Sequence, residues 1–178
     1  MGGAVNRDLF LPSAEGEVRL LLLIDAFSSQ QGGLQGRTKL AKLDFLLRYP
    51  AFLKRALEAK SVHVDEDAED IFLEPNPIEQ RMVRYRFGPW DPSYFSLLGA
   101  LIGRGLVEVV PYNRGLGYRT TSTGSQVASE VRVDPSWRSV AASTSLLRRH
   151  FNQAGSTLKK FVYDTFPEVG SARWNDEL

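Results

Sequence analysis

Residues 91–121 read DPSYFSLLGALIGRGLVEVVPYNRGLGYRTT, and the fold turns on this stretch. Asp91 is a good N-cap and Pro92 suits a first helical position, so the spacing predicts a helix over residues 92–104. Tyr94, Leu97, Leu98, Leu101 and Ile102 recur at helical intervals and form its inward face, and Gly105 is a natural stop. Residues 106–110 are rich in β-branched side chains and read as a strand. Residues 111–117, with Asn113, Gly115 and Gly117, read as a turn, and residues 118–121 as the returning strand. Thr121 or Ser122 then caps another helix.

Working outward, residues 82–87 alternate, with Val83, Tyr85 and Phe87 on one side and Arg84 and Arg86 on the other, as in a half-exposed strand. Upstream, a helix begins near Glu15. Leu20, Leu23, Ile24 and Phe27 form one face of it, and Val18, Leu21 and Leu22 cover the next, so it is buried on most sides. After the loop SSQQGG (residues 28–33), a second helix starts at Thr38 with Leu40, Leu43 and Leu47 in a stripe and Asp44–Arg48 as an i,i+4 pair. Pro50 introduces a short helix over residues 51–60. Downstream lie a helix over residues 139–151 and an amphipathic one carrying Leu158, Phe161, Val162 and Phe166, stopped by Pro167. Helix, helix, strand, helix, strand, hairpin tip, strand is the order of a winged helix-turn-helix. The expected fold is therefore α+β: a mostly helical winged helix-turn-helix domain with a small antiparallel sheet and wing, plus C-terminal helices. Residues 1–13 read as a flexible N-terminal arm, residues 14–133 as the winged-helix domain with an acidic loop at 61–79, and residues 134–178 as a C-terminal helical extension.

The 178 residues are 43% hydrophobic and 24% charged, ordinary for a globular chain with a real core. With no cysteine, disulfides, zinc–cysteine sites, iron–sulfur clusters and thiol catalysis are excluded, and two histidines, His63 and His150, cannot build a histidine cage. The longest aliphatic run, residues 20–24, is far too short for a membrane span, and no signal-peptide order opens the chain, so a cytoplasmic location without membrane partners is expected. Net charge is +1, but residues 61–79 hold seven acids and no Lys or Arg, leaving +8 on the rest. A basic body suits an anionic partner, and an acidic segment in cis can screen it.

Candidate enzyme motifs fail on their details. QGGLQGRT (residues 31–38) approaches a phosphate-binding loop, but Gln31 stands where the first glycine belongs and Arg37 where the lysine belongs. Asp65, Asp67 and Glu69 open like a calcium loop, yet Asp70 replaces its required glycine. His63 reads as a surface group and His150 as a helix-end polar residue; no Ser-His-acid set can be assembled. No catalytic residue, metal site or cofactor is expected.

Nucleic-acid binding is the more serious candidate. The helix over residues 92–104 holds the position of a recognition helix, but its outward residues (Ser93, Ser96, Gly99, Ala100, Gly103 and Arg104) offer almost no bidentate contact to a base edge. Its small residues suit close approach of another backbone. Positive charge lies instead at Arg37, Lys39 and Lys42, at Arg84 and Arg86, and at Arg114 and Arg119, where it would contact non-specific double-stranded DNA or an acidic partner. Trp90, Tyr94, Phe161, Tyr163 and Phe166 read as core or interface anchors.

Four blocks carry a resemblance: GRTKLAKLDFLLRYP (residues 36–50), RYRFGPWD (84–91), YRTTSTG (118–124) and LKKFVYDTFPE (158–168). Together they resemble the small middle component of bacterial ABC-three-component defence systems, which overlap the Lamassu antiphage systems. The resemblance implies a non-catalytic adaptor that bridges an SMC- or Rad50-like ABC ATPase and a nuclease-like effector, and it supplies no active-site residues. A winged-helix transcription regulator or antitoxin, binding a palindromic site as a dimer, is the alternative.

Overall fold

Ala14–Phe27 form α1 in the computed structural model, which describes residues 12–65, 70–73, 82–85, 88–173 and 178. Ser13 caps this helix, its Oγ accepting the Gly16 N–H at 3.0 Å. Leu20, Leu22, Leu23, Ile24 and Phe27 are fully buried, as a helix apolar on adjoining faces requires. β1 (Leu34–Gln35), α2 (Gly36–Arg48), α3 (Pro50–Ala59) and α4 (Asp70–Leu73) follow, then β2 (Val83–Tyr85), β3 (Gly88–Trp90) and α5 (Tyr94–Gly103). The chain continues through β4 (Val107–Tyr112), β5 (Gly115–Thr120), α6 (Ser122–Arg132), a 3-10 turn (Pro135–Trp137), α7 (Arg138–His150), α8 (Gly155–Thr165) and α9 (Pro167–Ser171). The fold is α+β. α8 packs along α2, so the described part of residues 134–178 shares the core of the preceding segment rather than standing beside it: Leu158, Val162 and Phe166 belong to the same buried cluster as α1.

Two antiparallel sheets are present among the described residues. The larger has the order β1-β5-β4, with Leu34 opposite Tyr118 and Val107 opposite Thr120. β4 and β5 stay paired out to Tyr112 and Gly115, so the tip is only Asn113 and Arg114 rather than residues 111–117. Asn113 takes φ 49°, a left-handed value that asparagine tolerates better than most residues. Pro111 remains in the ladder because β4 is an edge strand. The smaller sheet takes up part of the strand expected over residues 82–87. Val83–Tyr85 pairs with Gly88–Trp90, a stretch whose glycine and proline carry no strand pattern. Arg86 and Phe87 lie outside the described residues.

Other details also shift. α2 starts two residues before Thr38, which sits inside the first turn and does not cap it. α5 starts at Tyr94 because Asp91 closes a tight turn instead, its Oδ1 accepting both the Ser93 N–H at 2.7 Å and the Ser93 hydroxyl at 2.6 Å. That contact buries Ser93, which had been placed outward. Ile102 had been placed inward, but α1 takes the face bearing Tyr94, Leu97, Leu98 and Leu101 and leaves Ile102 exposed. Thr121 does cap α6, accepting the Gly124 N–H at 3.0 Å.

Charge, not only oil, joins the central helices. Asp44 of α2 accepts from Arg19 Nε of α1 at 2.7 Å and from the Tyr94 hydroxyl of α5 at 2.7 Å, and lies 3.7 Å from Arg48. Arg48 donates to Asp91 at 2.7 Å. All five residues are at most 3% exposed. Two cations and two carboxylates balance, which is the condition under which charge survives burial. Burial opposes the charged form of Arg48, but Asp44, Tyr94 and Asp91 outweigh it and hold the guanidinium above its ordinary range. Burial, reinforced by Asp44, pushes the Tyr94 phenol well above its usual value and keeps it a donor.

Asp44→Ala strands Arg19 in the interior and leaves Arg48 with Asp91 alone, and the expected loss is about 3–5 kcal/mol of unfolding free energy. Urea unfolding reads it as a lower midpoint at unchanged slope; a loss below about 1 kcal/mol would show that the network does not hold the helices.

Candidate interaction surface

The outer face of α5 follows from the choice α1 makes of its inner one. Phe95, Gly99, Ile102 and Gly103 fall at i, i+4, i+7 and i+8 and share one stripe. Phe95 is 62% exposed, an unusual cost for a phenyl ring, and Ile102 is 38% exposed. A Cβ built on Gly99 or Gly103 would meet nothing within 4 Å, so the face is open to a neighbouring backbone. Arg37, at the start of α2, lies over Phe95 with its guanidinium carbon 4.6 Å from the ring centroid. The same arginine lowers the Tyr118 phenol, although burial acts more strongly and raises it overall. Tyr118 faces Val109 across the ladder, and Val109 and Leu116 are exposed. Apolar side chains of α5 and the hairpin thus flank one arginine.

The remaining basic positions do not form one strip. Arg114, at the hairpin tip, is exposed. Arg119 is exposed but holds Glu108 through Nε at 2.9 Å and Nη2 at 2.6 Å. Arg84 is half-buried, its guanidinium 5.3 Å from the Tyr163 ring. Lys39 and Lys42, placed on the surface by their residue type, are buried at 2% and 1% exposure and are not available to DNA. Lys39 donates to Asn152 Oδ1 at 2.8 Å, and burial and then Arg148 lower its pKa to about 8. Lys42 approaches Gly88, where a Cβ would lie 2.9 Å from Nζ, and the left-handed φ of +105° favours glycine there. Burial first, then Lys159 and Arg84, lower Lys42 to about 7.

The five aromatic positions differ in depth. Tyr94 and Phe166 are fully buried, Phe166 against Phe45 and Phe52. Trp90 meets Tyr94 edge-on at 5.0 Å, Phe161 tilts on Phe151 at 5.6 Å, and Tyr163 is half-buried with a hydroxyl that has no hydrogen-bond partner among the described residues. The sequence reading missed Phe95. The available signal was its position beside Tyr94, one residue off the inward stripe.

No protein-family model, curated protein or solved structure matches this chain. Among the described residues no group of three or more His, Cys, Asp or Glu is placed to hold a metal ion, and no helix is long and apolar enough to cross a membrane.

The two lysines give stability a definite pH dependence. Unfolded lysine keeps its proton to about pH 10.4, so above about pH 7 the unfolded chain binds more protons than the folded one. Stability should therefore rise from pH 7 to pH 10 as Lys42 discharges, then turn down as the raised Tyr94 and Tyr118 phenols oppose ionisation. Denaturant titrations at several pH values should show this rise in the wild type and a flatter profile in Lys42→Met; an unchanged slope in the variant would remove Lys42 as its source.

Proposed function

We propose that this chain is a winged-helix adaptor, the non-catalytic middle subunit of an antiphage or anti-plasmid defence complex, bridging an SMC- or Rad50-like ABC ATPase and a nuclease-like effector. The winged-helix reading is supported by the order α1, β1, α2, then α5, β4, β5, and by a sheet with β5 between β1 and β4. The assembly reading is supported by the four blocks of resemblance. One structural observation carries the role of a protein contact: the helix in the recognition position presents Phe95, Gly99, Ile102 and Gly103, with Arg37 stacked on Phe95. Aromatic and arginine side chains are favoured interface anchors. A helix with this face gives a base edge nothing to read. Arg114 is the basic side chain of the hairpin left to touch a DNA backbone, since Arg119 is engaged by Glu108.

Affinity purification of the full chain from its native host tests the proposal. Recovery of an ABC ATPase and a nuclease-like protein in stoichiometric amounts is expected. Phe95→Glu should reduce that recovery at least tenfold while leaving the melting temperature within about 2 °C, as befits an exposed residue. A chain that stays monomeric and alone at micromolar concentration overturns the adaptor reading. The regulator alternative is separated by binding to palindromic and scrambled duplexes at one salt concentration. Equal, steeply salt-dependent affinity for both is expected here, and a preference of about 10³-fold or more for the palindrome would favour the regulator.

A further inference from the structure

A cleft of about 820 Å³ opens where the C-terminal half of α7 meets the ends of α1 and α6 and the short α4. Its size lies in the range of small-ligand sites. Arg132, Arg148 and Arg149 line it, with Asp25 as their sole carboxylate among the lining residues. Asp25 is already engaged: it accepts from Arg132 Nη2 at 3.2 Å and from Thr120 Oγ1 at 3.0 Å. Arg148 and Arg149 have no hydrogen bond or ion pair with any described residue. Arg148 is instead fixed over the Phe27 ring, its guanidinium carbon 5.6 Å from the centroid. The recess therefore holds two unspent positive charges, one of them pre-positioned by stacking, and Lys39 stands close enough for Arg148 to depress its pKa. Such crowding is relieved by an anion.

We propose that this cleft binds a phosphate ester of nucleotide size, with Arg148 and Arg149 holding the phosphate. Three observations select that chemistry. Guanidinium groups, of which two line the cleft without an ion-pair partner among the described residues, match phosphate oxygens in geometry. A phosphate monoester carries about −1.5 to −2 charge near neutral pH, which balances the excess, whereas a single carboxylate balances half of it. The rest of the lining is mixed: Ala26, Ile71 and Leu146 provide an apolar wall for the body of the ligand, and Ser145 adds a hydroxyl. The site is remote in sequence from the glycine loop at residues 31–38 and owes nothing to it. It also stands independently of the adaptor reading.

Isothermal titration of the full chain at about 0.1 M salt tests it, with AMP, ATP, sodium phosphate and a short single-stranded oligonucleotide as separate probes. AMP or ATP should bind in the micromolar range, with sodium phosphate at least about tenfold weaker because it lacks the apolar body. The double variant Arg148→Gln/Arg149→Gln should weaken nucleotide binding by roughly tenfold or more. Ala142→Trp, which fills the half-buried wall and leaves every charge in place, should abolish it in a chain that melts as the wild type does. No heat with either nucleotide at millimolar concentration overturns the proposal. So does affinity that neither variant changes, and so does binding of the oligonucleotide alone.

Discussion

Asp44 is the fixed point of the molecule. A purely apolar contact between helices tolerates a slide or a small rotation, because one leucine packs nearly as well as the next. A carboxylate held at 2.7 Å by an arginine from α1 and at 2.7 Å by a tyrosine from α5 tolerates neither. The pair Arg48–Asp91 extends the constraint to the turn before α5, where Asp91 also takes both polar groups of Ser93. Three helices and one turn are thus keyed to a single buried side chain. The outward stripe of α5 is a consequence: once Tyr94 points at Asp44, Phe95 and Ile102 must face away from the core.

α2 bears buried charge of a second, unbalanced kind. Lys39 and Lys42 lie under α8 and the β2–β3 hairpin with no described carboxylate against them. Lys39 is eased by Asn152 and by the Phe27 ring 5.2 Å from its Nζ. Lys42 has fewer neighbours to ease it and sits nearest to losing its proton. The charge of +8 carried outside the acidic segment therefore overstates what the exterior shows to a passing polyanion. Exposed positive charge is scattered instead, with Arg37 and Arg114 near the larger sheet and Arg149 at the cleft beside the half-buried Arg148.

Strongly patterned elements were legible. The β-branched run that makes β4, the stop at Gly105, the cap at Thr121 and the proline that opens α3 each announce themselves through local chemistry. β1 did not, since two residues, Leu34 and Gln35, carry no period and are strand only because β5 offers them hydrogen bonds. Gly88–Trp90 was hidden for the opposite reason: its glycine and proline signal a break wherever they stand, and only pairing with Val83–Tyr85 makes a strand of them. The i,i+4 relation of Asp44 and Arg48 was visible, but their depth was not, because burial depends on helices distant in sequence. Residue type placed Lys39 and Lys42 at the surface for the same reason. The cleft draws Asp25, Arg132 and Arg148 from three helices, and no local window contains all of them.

The sheet's margins limit how this chain can associate with others. β1 ends after two residues, and β4 carries Pro111, which has no N–H to donate, beside the charged Glu108–Arg119 rung. Neither rim offers the long unpaired ladder along which strands from separate molecules add and polymerise. Strand addition to this sheet is disfavoured by Pro111 and by the brevity of β1, which leaves side-chain contact as the better way to dock there.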